Sequence, residues 1–92
     1  MKLWVTLQKT NTGRVVVSAL RSTSEHGPVG TGWRLPPFNP NARAEIEDVL
    51  RGLGVEEVAI AEKMAALQGG AEFVRVAEVD AGEEGLREMG FA

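Results

Sequence analysis

The chain has 92 residues, of which 43% are hydrophobic and 25% charged; ten Lys and Arg face thirteen Asp and Glu, a formal net charge of −3. These values predict one small globular domain over residues 1–92 and argue against a chain that is disordered throughout. The lack of cysteine excludes disulfides, thiolate metal sites and a cysteine nucleophile.

The same composition leads to expectations about the cellular compartment and the oligomeric state of the protein. The N-terminal apolar run turns polar at Gln8 and Lys9, and no apolar stretch approaches the roughly 20 residues that a membrane span needs. We therefore expect a cytoplasmic protein that does not contact membranes. A small core of Val, Leu and Ala favours a homodimer. Few Asn and Gln with many Glu, Arg, Val and Ala are typical of a thermophile, although a GC-rich genome produces the same bias.

Charge is unevenly distributed along the chain. Residues 1–44 contain six basic side chains and one acidic side chain, whereas residues 45–92 contain four basic and twelve acidic side chains. Such asymmetry indicates either a basic binding face or an attraction between the two halves of one domain, or between copies of it.

The first twenty residues predict a β-hairpin. Leu3, Val5 and Leu7 alternate with bulkier or polar residues, and residues 14–20 are rich in β-branched side chains. The five-residue connection 9–13 ends in Gly13, which can adopt the positive φ that such a turn needs.

Residues 21–39 predict a long, ordered loop. Three Gly, three Pro and four hydroxyl residues interrupt any periodic pattern over this segment. A loop of this length in so small a domain is usually functional or disordered. The apolar side chains in its second half favour anchoring: Val29, Trp33, Leu35 and Phe38. Pro36 and Pro37 favour a short polyproline II stretch.

The segment after this loop predicts a helix over 40–53. Asn39 is suited to the N-cap and Pro40 to the first helical position, and Gly54 is suited to the left-handed stop. An apolar stripe follows helical spacing: Ala42, Ile46, Val49, Leu50 and Leu53.

The rest of the chain predicts two more helices and a strand. Residues 55–68 favour a helix, with a strand as the alternative for their first part. Residues 73–79 predict a strand that pairs with the hairpin, and Asp80 is suited to cap a short helix over 81–89 that ends at Gly90. The predicted fold class is therefore α+β. A small antiparallel sheet, made of the N-terminal hairpin and a C-terminal strand, packs against two helices, with the long ordered loop and a short C-terminal helix.

No residue constellation indicates catalysis, a metal or a cofactor. His26 is the only imidazole, and a triad built from it with Ser22, Ser24 or Glu25 would crowd neighbouring loop residues together. The glycines over 27–32 are not followed by the helix N-terminus or the Lys-Ser/Thr pair of a phosphate loop. We therefore expect a protein that is not an enzyme and that uses no cofactor.

Three functions remain open. The leading hypothesis is a small interaction module that self-associates or docks onto a protein partner through the loop around Trp33, because Trp and Arg are favoured at interfaces. The alternative is a nucleic-acid-binding module that uses the basic hairpin and loop. The third is an enzyme subunit whose loop closes over an anionic substrate, with His26 or Arg34 in contact. The predicted partner-binding residues are Trp33, Arg34, Leu35, Phe38 and Arg21, and the predicted nucleic-acid contacts are Lys9, Arg14, Arg21 and Arg34.

Overall fold

A four-stranded antiparallel sheet with three helices forms the framework of the protein, in a computed structural model that describes residues 1–23 and 27–92. The strands are β1 (Lys2–Lys9), β2 (Val15–Thr23), β3 (Gly27–Arg34) and β4 (Phe73–Asp80), and the helices are α1 (Arg43–Gly52), α2 (Glu57–Gln68) and α3 (Glu83–Glu88). The spatial order of the strands is β3-β2-β1-β4. The predicted α+β class is confirmed. His26, with Ser24 and Glu25, lies outside the described residues.

Alternation along β1 and β2 divides the sheet into two faces. Leu7 lies opposite Val17 and Val5 opposite Ala19, and all four side chains are completely buried. Because side chains alternate along a strand, the residues between them lie on the other face. The predicted hairpin is therefore confirmed, and Gly13 in its turn has a φ of +80°.

All three helices cover the face of the sheet that carries Leu3, Val5 and Leu7. Ile46 and Leu50 of α1 are at most 1% exposed, which confirms the predicted apolar stripe. The other helical and C-terminal residues of this core are Leu53, Val55, Ile60, Met64, Leu67, Leu86 and Phe91. Each helix thus buries its apolar side on one shared core.

Residues 27–34 form a fourth strand, β3, in place of the loop that the sequence predicts there. β3 pairs with β2, with Trp33 opposite Ala19 and Arg34 opposite Ser18. A strand accommodates Pro28 because β3 lies at the edge of the sheet, where a missing N–H interrupts no second ladder. The chain continues beside β2, since Leu35 donates its N–H to the carbonyl of Val17 at 3.1 Å.

The helix boundaries differ from the predictions at two places. Helix α1 begins at Arg43 with Ala42 as its N-cap, because the carbonyl of Asn39 accepts the N–H of Ala42 in a preceding turn. Helix α3 has Gly82 as its N-cap. Asp80, predicted as that cap, instead accepts a hydrogen bond from the amino group of Met1 at 2.9 Å.

The second predicted helix and the last predicted strand are confirmed. Residues 57–68 form a helix, and residues 73–80 form a strand that pairs with β1. Gly54 and Gly90 follow α1 and α3 with φ values of +92° and +97°. Within residues 1–23 and 27–92, no helix combines the length and the apolar character needed to cross a bilayer.

Candidate functional site

The face of the sheet opposite the helices is the candidate site, and we call it the open face because none of the three described helices covers it. The strand registers place the following residues on it: Lys2, Trp4, Thr6, Gln8, Val16, Ser18, Leu20, Gly32, Arg34, Phe73, Arg75, Glu78 and Asp80. Of its apolar side chains Phe73 is exposed, whereas Trp4, Val16 and Leu20 are half-buried.

The middle row of the open face combines two arginines with two hydroxyls. Thr6 lies opposite both Ser18 and Arg75, and Ser18 lies opposite Arg34, so the row crosses all four strands. Thr6 and Ser18 are only 2% and 5% exposed, whereas both arginines are exposed. Strands about 4.8 Å apart put the two arginine backbones about 14 Å apart. The row therefore carries a positive charge at each end, with the buried side chains of Thr6 and Ser18 between the two arginines.

Apolar side chains border this row on both sides. Trp4 lies opposite Leu20, and both are half-buried. At the other end Gln8 lies between Val16 and Phe73, and Phe73 is 51% exposed. Apolar side chains therefore border the charged row on both sides, and Glu78 lies beside Trp4 at one of them.

Arg75 and Trp4 form a cation–π contact on the open face. The guanidinium carbon of Arg75 lies 4.9 Å from the centroid of the Trp4 ring. Contacts of this kind hold both side chains in place and stabilise by about 0.5–1 kcal/mol at exposed sites. One ring face of Trp4 is therefore already occupied by an arginine.

The helix layer, by contrast, is acidic. Residues 43–70 contain three basic and six acidic side chains, and residues 81–90 contain one basic and three acidic side chains. Arg51 uses its Nε to bind both oxygens of Glu57, at 2.8 and 2.9 Å, and this hydrogen bond raises the pKa of Arg51 above its usual value. The helix layer is thus acidic, whereas the open face carries Lys2, Arg34 and Arg75 against Glu78 and Asp80.

The predicted partner-binding residues do not lie on one surface. Trp33 and Arg21 lie on the helix side of the sheet, where the Arg21 guanidinium is 5.7 Å from the Trp33 ring. Leu35 is 7% exposed and Phe38 packs against the core, so both anchor their segment. Arg34 alone of the five lies on the open face.

The predicted nucleic-acid contacts are also dispersed. Lys9 points to the helix side, where its Nζ donates to the carbonyl of Leu67 at 2.8 Å. Arg14 is exposed near the turn between β1 and β2, and its backbone N–H donates to the hydroxyl of Thr10. With Arg21 on the helix side and Arg34 on the open face, the four cations share no common surface.

A pocket of about 180 Å³ lies beside Lys9 and Arg43, above an apolar floor that includes Ile46, Met64 and Leu67. Lys9 is bound to Leu67, and Nε of Arg43 is 3.3 Å from Glu47. Ligand pockets usually enclose about 300–1,000 Å³, so this one is too small to be the leading candidate. Among the described residues, no three His, Cys, Asp or Glu side chains are grouped as metal ligands.

Sequence reasoning missed the open-face residues Trp4, Phe73 and Arg75. The alternation of β1 already places Trp4 on the face opposite Leu3 and Val5, so its position was available from the sequence. The positions of Phe73 and Arg75 depend on the pairing of β4 with β1, which no local pattern specifies.

Comparison of the chain with protein families, with characterised proteins and with solved structures found no match. The function is therefore argued from the geometry of the open face.

Proposed function

We propose that this protein is a non-catalytic interaction module whose open face binds a short acidic segment of a partner protein. The observation that carries the proposal is the middle row, where Arg34 and Arg75 stand at the two ends of the Thr6–Ser18 floor. Carboxylates of a bound segment can pair with the two guanidinium groups, and its apolar side chains can contact Trp4 and Phe73.

The charge distribution supports an acidic partner. The helix layer repels acidic molecules, whereas the arginines of the open face attract them, so an approaching acidic segment is steered to one side of the molecule. Because the helix layer is acidic, it does not offer an acidic segment a second binding surface.

The size of the open face supports a short segment. Four strands of about eight residues cover roughly 500 Å² by the usual strand spacings. A standard protein–protein interface buries about 800 Å² on each partner. A peptide-like segment laid across the sheet matches this area better than a large globular surface does.

A peptide library displayed on phage tests this proposal. The chain is immobilised, and we expect it to select sequences that combine Asp or Glu with large apolar residues. The Arg34→Glu variant reverses one end of the middle row and is expected to lose this selection. Arg87→Glu, the same substitution on the exposed surface of α3, is the matched control and is expected to keep it. Equal selection by all three proteins would refute the proposal.

Single-stranded nucleic acid is the second candidate, because the basic and aromatic side chains of the open face lie together. The contact of Arg75 with the Trp4 ring argues against it, since it covers a ring face on which a base would stack. Fluorescence anisotropy with a labelled single-stranded oligonucleotide discriminates between the two. Tight binding that falls steeply with salt and is lost in Arg34→Glu would replace the peptide proposal. For either ligand the cysteine-free composition favours a cytoplasmic setting.

A further inference from the structure

Strand β4 lies at one edge of the sheet, next to β1. Lys9 donates to the carbonyl of Glu72 and Ala81 donates to the carbonyl of Met1, so the residues at both ends of β4 direct their backbone groups towards β1. Backbone groups alternate in direction along a strand. Phe73 and Asp80 therefore direct theirs to the outer edge, which pairs with no other described strand.

The outward-directed residues of β4 are arranged symmetrically about the centre of the strand. Pairing with β1 shifts between Val5 and Thr6, which leaves Val76 and Ala77 as a bulge at the centre of β4. From Phe73 and from Asp80 towards the centre of β4, the next residues that direct their backbone groups away from β1 are Arg75 and Glu78. Both side chains lie on the open face, opposite Thr6 and Trp4 respectively.

An antiparallel pairing of two β4 strands about the bulge places residues of the same face opposite each other. It places Arg75 opposite Glu78 of a second copy, and Val74 opposite Val79 of that copy. Each pair lies on one face, because Val74 and Val79 are both buried on the helix side. A shift by one residue would bring side chains from opposite faces together, so the symmetric register is selected.

Helix α2 presents a second matching surface above β4, the strand that it contacts most closely. Its side with Met64 and Gln68 faces α1 across the pocket. At 100° per residue the opposite side carries Ala59, Glu62 and Ala66, with Lys63 beside them. Ala59 packs partly against the core, whereas Glu62 and Ala66 are exposed. Ala66 is small enough to allow two α2 helices to approach each other.

We propose that two copies of this chain associate through β4, forming a continuous eight-stranded sheet around a two-fold axis. The interface is isologous, so each Arg75–Glu78 pair occurs twice, and two α2 helices meet above the joined strands. The open faces of both copies then form one surface. This proposal rests on the β4 edge; it shares Arg75 with the proposed peptide site, but its test measures self-association in the absence of any peptide.

Charge reversal at the two paired positions tests the proposal, with molar mass measured by sedimentation equilibrium over a range of protein concentrations. Arg75→Glu places two carboxylates opposite each other at both pairs, and Glu78→Arg places two guanidinium groups there. We expect each variant alone to dimerise at least about tenfold more weakly than the wild-type chain. Arg87→Glu on α3 is the control and is expected to dimerise normally.

Mixing the two variants gives the decisive result. An Arg75→Glu chain facing a Glu78→Arg chain restores an opposite charge at both pairs, so the mixture is expected to form heterodimers with wild-type affinity. A mixture that stays as weak as either variant, or a wild-type chain that remains monomeric up to millimolar concentration, would overturn the proposal.

Amide hydrogen exchange on the wild-type chain gives an independent readout if a variant does not fold. Protection of the amides of Arg75 and Glu78 is expected to rise with protein concentration, whereas that of Val17 in the centre of the sheet is expected to stay constant. Unchanged exchange at Arg75 and Glu78 would count against the β4 interface as firmly as a monomeric mass.

Discussion

At Gly32 of β3 the backbone of β2 lies too close to leave room for a Cβ. A Cβ built at this position would meet the carbonyl oxygen of Ala19 and would lie 2.9 Å from Cα of Leu20. Backbone atoms cannot move aside as the end of a flexible side chain can, so the strands would have to separate. This is a steric requirement for glycine and does not involve a positive φ.

We expect Gly32→Ala to destabilise the protein by about 1–3 kcal/mol, the usual cost of overpacking. Urea denaturation followed by circular dichroism measures the change. Gly85→Ala in α3 is the control, because no atom lies within 4 Å of its added Cβ. Equal denaturation midpoints for Gly32→Ala and wild type would show that β3 can move away from β2 at little cost.

The carboxyl of Asp80, the last residue of β4, makes the stability of the protein depend on pH. Its hydrogen bond from the amino group of Met1 lowers the pKa of the Asp80 carboxyl below its usual value. A carboxyl whose pKa is lower in the folded state stabilises the fold above its unfolded pKa of about 3.9, and this contribution disappears as the pH falls through the folded pKa.

Asp80→Asn is therefore expected to be less stable than wild type at neutral pH and equal to it in strong acid. Thermal unfolding measured at a series of pH values tests this expectation. Glu88→Gln removes another exposed carboxyl. The difference in stability between this variant and wild type is expected to be the same at neutral pH and in strong acid. A stability difference that persists unchanged in acid would mean that Asp80 contributes through something other than its charge.

At the scale of elements, helix α1 is attached to the sheet by a narrow apolar stripe. Leu50 is fully buried, whereas Val58 at the start of α2 is 76% exposed. We expect Leu50→Ala to cost about 2–5 kcal/mol, because it removes buried methyl groups and leaves a cavity. Val58→Ala is expected to change stability by less than about 0.5 kcal/mol. Similar losses for both in urea denaturation would contradict the observed burial.

The elements differ in how readily their sequences reveal them. β1 and β2 were predictable because Leu3, Val5 and Leu7 alternate with residues of the other face. β3 was not, because glycines and Pro28 occupy positions where an alternating pattern would otherwise be visible. Val29, Thr31, Trp33 and Leu35 do recur at every second position, a signal that the glycines between them obscure. The start of α1 was misplaced because Asn39 and Pro40 suit a turn as well as a helix N-terminus.

At the scale of the whole molecule, the open face could not be derived from local patterns. Which strands neighbour each other determines that Arg34 of β3 and Arg75 of β4 lie in one row, although 41 positions separate them in the sequence. The sequence did show that charge is divided between the halves of the chain. The fold gathers much of the acidic half into one layer, because all three helices cover the same side of the sheet.

This two-layer charge arrangement predicts how binding responds to salt. An acidic peptide attracted to the open face should bind less tightly as ionic strength rises, since the exposed arginines are screened within about 10 Å at 0.1 M salt. Arg34→Gln is expected to weaken binding at low salt and to flatten its salt dependence, because one of the two attracting charges is gone. Arg87→Gln on α3 is the control and is expected to leave both the affinity and its salt dependence close to those of wild type, because Arg87 lies on the opposite layer of the molecule. Isothermal titration at two salt concentrations measures both effects. An identical salt response in wild type and Arg34→Gln would mean that the peptide binds elsewhere, whatever its affinity.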